Sequence, residues 1–209
     1  MVYTCNTSDA FKTKHNILFA KEASVSKHSG SIVVIDTDEL GTTNELLRRR
    51  VKPEDIRIIN RSKTQVCNIR NLNKKLKPHA VEFNSFAGSW HKEVRAAYID
   101  SCSAFDTLSR GLRTMFTRQV FTDNCVLFIT CVFRNDSSTY NLPEYNQWLR
   151  DGMVAYPDDT ACMRKANLQL YKMAWENGYV LARYTKQQVP VSQYRRGTYL
   201  LRYVIKYNR

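Results

Sequence analysis

Residues 32–60 constrain this chain more than any other stretch. Ile32-Val-Val-Ile is an apolar run that ends on Asp36, and Thr37-Asp-Glu-Leu-Gly-Thr-Thr follows it. A helical segment then closes on Leu-Leu-Arg48-Arg49-Arg50, and after a short gap comes a second apolar run, Ile56-Arg-Ile-Ile-Asn60. Apolar run, turn, amphipathic segment and apolar run make a βαβ unit. Such a unit requires a parallel sheet, and it delivers Asp36 to the carboxyl edge where ligands of open α/β sheets bind. The end of the second strand, at Asn60, is where a group that holds a ribose normally stands. The pattern points to a nucleoside-cofactor site.

The rest of the chain extends the alternation. Helices are expected over 8–25, 43–50, 63–76, 107–122 and 163–177, the first capped by Ser8 and the last stopped by Gly178. Strands are expected over 79–83, 95–100 and 126–133, followed by 179–188 and 198–207, which a turn around Arg195-Arg196-Gly197 would join as an antiparallel pair. This predicts an α/β fold: one three-layer domain over residues 1–209, with an N-terminal helix at 8–25 and a core at 31–209. Its sheet would have seven mostly parallel strands and a C-terminal antiparallel hairpin.

That order resembles the class I S-adenosylmethionine-dependent methyltransferase fold, a Rossmann-like domain whose last strand is inserted antiparallel. The resemblance covers about residues 8–207 and rests on element order and strand-end residues. It implies S-adenosylmethionine as cofactor, lying across the carboxyl ends of strands one, two and four. In that family the first loop reads acid-x-Gly-x-Gly-x-Gly, since glycines let the backbone approach the ligand. Here Asp36 matches the acid, while Asp38, Leu40 and Thr42 stand at the glycine places and Gly41 is one step out of phase. The loop is degenerate. By resemblance the cofactor-binding residues are Asp36, Thr37, Asp38, Gly41, Asn60 and Asn84, with Ser85 beside the last. A dinucleotide-binding Rossmann protein is disfavoured, because the glycine fingerprint and the closing hairpin both speak against it.

Asp100, at the end of strand four, is the candidate proton acceptor or methyl-orienting group. Asp100-Ser-Cys102-Ser is similar to the cysteine motif of RNA cytosine-C5 methyltransferases, and Thr130-Cys131 is similar to their nucleophile motif. A thiolate nucleophile suits carbon-5 methylation of cytosine, which makes Cys102 the second catalytic candidate. Buried structural cysteines are the competing reading. The six cysteines show no Cys-x-x-Cys pair and no His partner at zinc spacing, so free thiols in a reducing compartment are expected rather than disulfides, and no metal site is expected.

Charge suggests the partner. Net charge is +13, with 32 Lys and Arg against 19 Asp and Glu. Residues 44–77 are strongly basic, and residues 183–209 interleave basic groups with Tyr184, Tyr194, Tyr199, Tyr203 and Tyr207. Basic groups among aromatics suit phosphate contact and base stacking. The nucleic-acid candidates are Arg48, Arg49, Arg50, Arg61, Lys63, Arg195 and Arg196, with RNA favoured over DNA. Arg134-Asn-Asp136 and His91 lie on the expected rim. The longest apolar run, Cys125 to Phe133, is about half of a membrane span, so a soluble intracellular protein without a membrane partner is expected. The alternative to an enzyme is a catalytically inactive relative that binds nucleic acid or packs as a component of a larger assembly.

Overall fold

A computed structural model describes residues 10–26, 28–132, 161–183 and 198–208. Seven strands form a single sheet: β1 Ser31–Ile35, β2 Ile56–Asn60, β3 Lys77–Ala80, β4 Val94–Ala104, β5 Phe121–Val132, β6 Tyr179–Arg183 and β7 Thr198–Tyr207. Their spatial order is β3-β2-β1-β4-β5-β7-β6. Strands β1 to β5 are all parallel, whereas β7 runs antiparallel between β5 and β6. The order of crossovers reverses between β1 and β4, and in open α/β sheets that switch point opens a crevice.

Helices cover both faces. On one side lie α1 Ala10–Val25, α2 Gly41–Arg48 and α3 Lys63–Leu72; on the other lie α4 Phe83–Ser89, α5 Phe105–Thr117 and α6 Ala161–Trp175. Right-handed crossovers dictate this split, because the chain moves one way along the sheet through β1-β2-β3 and the other way through β4-β5. Strand periodicity serves both layers. Ile32 and Val34 pack with Phe19, Leu46 and Ile69 on the first face, while Val33 packs with Phe83, Leu108 and Leu112 on the second.

The expected fold class and the antiparallel closing pair both hold. Several elements differ in extent. Pairing carries β4 past Asp100 to Ala104, with a register irregularity between them. The third strand begins earlier than expected, at Lys77, and Phe83 instead opens α4. That short helix buries Phe83, Phe86 and Ala87 at helical spacing, but it has no side-chain cap to mark its start. Among the described residues no helix is long and apolar enough to cross a membrane.

Helix α1 departs from expectation in a way that matters for the site. Ile17, an apolar residue, is 40% exposed. The face turned inward is Lys12, His15, Asn16, Phe19, Ala20 and Ala23. The front half of this helix buries polar groups because it crosses the strand ends, where backbone and carboxylates replace the apolar sheet surface.

Candidate functional site at the carboxyl edge of the sheet

The site grows from the turn after β1. Asp36 is buried, and its two carboxylate oxygens accept from the ends of the loop: Oδ1 from Thr37 N–H at 3.1 Å and Oδ2 from Thr43 N–H at 2.8 Å. The second bond places a carboxylate at the amino end of α2, where the helix dipole favours it. Burial nevertheless pushes the carboxyl up to about 6 from 3.8, against the opposing pull of the Thr43 and Thr37 bonds and the Lys12 charge.

Within this loop Leu40 has φ 54°, a left-handed conformation. Glycine normally supplies such a turn. Leu40 supplies it here because its side chain is buried among the apolar residues between α1, α2 and the sheet. Asp38 turns toward α3, where its Oδ2 accepts from Asn68 Nδ2 at 2.9 Å. Neither bulky side chain that replaces a glycine is therefore directed into the space above the strand ends. Gly41 has its own reason: a Cβ there would stand 3.0 Å from Asn16 Nδ2 of α1. Asn16 Oδ1 also accepts from Thr42 Oγ1 at 3.0 Å, which seats α1 on the loop.

Asn60 ends β2 and is committed at both ends of its amide. Its Nδ2 donates to the Asp36 carbonyl at 2.8 Å and to Gln65 Oε1 at 2.5 Å, and its Oδ1 accepts from Ser62 N–H at 2.7 Å. Ser62 Oγ in turn caps α3 by accepting from Gln65 N–H. Asn60 thus ties the ends of β1 and β2 together. Asn84 is equally engaged, donating to the Thr107 carbonyl and accepting from Gly111 N–H, each at 2.9 Å. It holds α4 to α5.

On the neighbouring strand Asp100 Oδ2 lies 2.9 Å from Lys12 Nζ, with side-chain exposures of 5% and 7%. Lys12 and Asn16 were not legible as site residues, since a lysine on a surface-type helix ordinarily faces water. The available signal was their spacing: residues 12, 16, 19, 20 and 23 share one helical face.

No family model matches the chain, and no curated protein matches it in sequence. Solved structures do match in shape. The plantazolicin methyltransferase BamL, in complex with a triazolic desmethylPZN analog and SAH, aligns at TM-score 0.57 and 13% identity over 98% of this chain and 87% of its own. M. jannaschii TYW2 in complex with AdoMet aligns at 0.54 and 15%, over 92% and 76%. The fold is that of the class I methyltransferases. The [4+2]-cyclase SpnF aligns as well, at TM-score 0.56 and 12% identity over 94% of this chain and 81% of its own. Fold and reaction are thus separable.

The class I topology brings Asp36, the 37–43 loop, Asn60 and Asp100 to one edge, the carboxyl ends of adjacent strands. It separates the basic candidates. Arg61 and Lys63 follow β2 at that edge and are exposed. Arg48, Arg49 and Arg50 close α2 and are exposed at the opposite edge, because a crossover helix returns the chain to the amino ends of the strands. Arg48 also pairs with Glu45. Arg195, Arg196, Tyr184, Tyr194 and the 134–136 segment lie outside the described residues. Tyr203 is fully buried, and Tyr207 stacks on Tyr179 with ring centroids 5.5 Å apart. Tyr203 therefore does not serve as a stacking platform for bases; strand alternation turns it into the core, where it faces Tyr171 and Asn167 of α6.

Cys102 lies within β4, in the irregular stretch between Asp100 and Ala104, and Cys131 lies in β5; their side chains are outside the described residues. Cys125 is buried, and burial pushes its thiol well above the usual range, which suits a packing residue. His91 lies beside Arg118 Nη1, at 3.4 Å, just ahead of β4 and so at the opposite edge from Asp36.

Proposed function

We propose that the chain is an S-adenosylmethionine-dependent methyltransferase acting on nucleic acid, with RNA favoured over DNA. The observation that carries this is the loop after β1. Its left-handed turn is retained with Leu40 in place of a glycine, because Leu40 adopts φ 54° with its side chain in the core and Asp36 secures both ends of the loop. The side chains of Leu40 and Asp38, which stand where glycines would allow close approach by a ligand, are engaged with the core and with α3. The residues fit the cofactor at the loop and less well at Asn60, whose amide already has partners.

In this reading the loop backbone and Asp36 hold the cofactor, and Asp100 with Lys12 stands at the reacting end. When bound, the cofactor supplies an electrophilic methyl group. The chain's part is to orient the acceptor and to handle its proton, for which Asp100 is the candidate. Helix α1 excludes water from these groups, which strengthens their electrostatic action. Support also comes from BamL and TYW2, which share the fold and were solved with SAH and AdoMet.

The nucleic-acid substrate is argued from the +13 charge and from exposed Arg61 and Lys63 beside the site. A second reading, a non-catalytic relative that binds nucleic acid or packs in an assembly, is favoured by Asn60, whose amide N–H groups are both given to internal partners. Calorimetric titration of the full chain with S-adenosylmethionine and with S-adenosylhomocysteine separates the two. Binding of either supports the first reading; no heat with both, on folded protein, leaves the second.

A further inference from the structure

At the carboxyl edge one helix inserts its own cation among acids. Lys12 Nζ lies 2.9 Å from Asp100 Oδ2, both side chains are more than nine-tenths buried, and the Lys12 charge also acts on Asp36. A buried ion pair seldom adds stability over apolar residues of similar volume, so packing alone gives poor reason for a lysine here. The helix carrying it rests directly on the loop, through the Asn16–Thr42 hydrogen bond and the close approach of Asn16 to Gly41. Behind Lys12 the buried face becomes ordinary core at Phe19, Ala20 and Ala23.

We propose that Lys12 is a specificity-determining residue: it occupies the place of a ligand's positive charge, so a cationic ligand enters by displacing it and a neutral ligand does not. This rests on the methyltransferase reading. S-adenosylmethionine carries a sulfonium cation, and sinefungin carries an amine there, whereas S-adenosylhomocysteine has a neutral thioether. A cation arriving at Asp100 exchanges one charge-assisted contact for another and frees the first turns of α1. A neutral ligand leaves the Lys12–Asp100 pair in place and gains no contact with Asp100.

The test uses the full chain as wild type, Lys12→Met and Asp100→Asn, titrated calorimetrically with all three ligands and followed by thermal melting and hydrogen exchange. Lys12→Met should melt lower without ligand, because it leaves Asp100 buried and uncompensated. It should bind both cationic ligands about tenfold more tightly than wild type does, the scale of one hydrogen bond to a charged group. Its affinity for the homocysteine form should change less than about twofold, since that ligand does not compete with Lys12. In Asp100→Asn the advantage of cationic over neutral ligand should disappear. In wild type, residues 10–16 should lose exchange protection with sinefungin and keep it with S-adenosylhomocysteine.

Equal weakening of all ligands by Lys12→Met, or no change in any, overturns the proposal while the methyltransferase reading stands. If no ligand binds any of the folded proteins, both fall. Should Lys12→Met fail to fold, Asp100→Asn and the wild-type exchange pattern decide the matter. Cation and neutral ligand binding alike in wild type, with α1 equally protected, would reject it.

Discussion

The pH dependence of stability offers a sharp test of the buried loop anchor. Asp36 titrates near pH 6 in the folded chain, against 3.8 as its ordinary value, because burial outweighs its hydrogen bonds. Between those values the folded state holds the Asp36 proton more tightly than the unfolded state does. The stabilising contribution is therefore fully present below about pH 3.8 and is lost as pH rises through about 6. A difference of about two pH units corresponds to roughly 3 kcal/mol in full, and to somewhat less between pH 4 and 7.

Asp36→Asn removes the titration and keeps the shape. It also surrenders one of the two backbone bonds, because an amide accepts through a single oxygen, at a cost of about 1 kcal/mol at every pH. Urea unfolding of wild type and Asp36→Asn, run in steps from pH 4 to 7.5, should give curves that converge or cross. Wild type should lose roughly 2–3 kcal/mol relative to the variant over that range. Parallel curves, or a wild type that gains on the variant as pH rises, would mean that Thr37, Thr43 and Lys12 hold Asp36 as a stable anion and that the burial argument is wrong.

Other outcomes follow from the same geometry. Leu40→Gly should relieve the left-handed strain of about 1–2 kcal/mol but lose a buried side chain worth about 2–5 kcal/mol; a net fall in denaturant midpoint is expected. Gly111→Ala should destabilise by about 1–3 kcal/mol, because its Cβ would meet Asn84 Oδ1 at 2.6 Å and Phe83 Cε1 at 2.7 Å; Asn84→Ala in the same chain should recover only part, since Phe83 stays in the way. For single-stranded RNA, anisotropy titrations should show affinity falling steeply with salt. Charge reversal of Arg61 and Lys63 should weaken cofactor-dependent RNA binding more than reversal of Arg48, Arg49 and Arg50, which lie at the far edge. Affinity that is flat in salt would assign the positive charge to some other partner.

The layers and the edge were legible in the order of residues along the chain. Ile32–Ile35 and Ile56–Asn60 are apolar, short and separated by a helix-length segment, and right-handed crossovers leave one arrangement for such units. Asp36, Asn60 and Asp100 could be placed at one rim because each closes an apolar run, and a parallel sheet aligns the ends of its strands. The antiparallel closing pair was legible for the same kind of reason, two β-rich runs close together in sequence, although the residues around Gly197 that would turn between them lie outside the described residues.

What those residues do depends on contacts between distant parts of the chain. The replacement of glycine by Leu40 looks like loss of the loop until its side chain is seen in the core, since a residue's direction depends on a backbone angle that composition does not report. The commitments of Asn60 and Asn84 needed partners from separate elements to come within hydrogen-bond reach. Lys12 was invisible for the most general reason. Its meaning comes from Asp100, which lies far along the chain, and local periodicity carries no information about what a helix will be laid across.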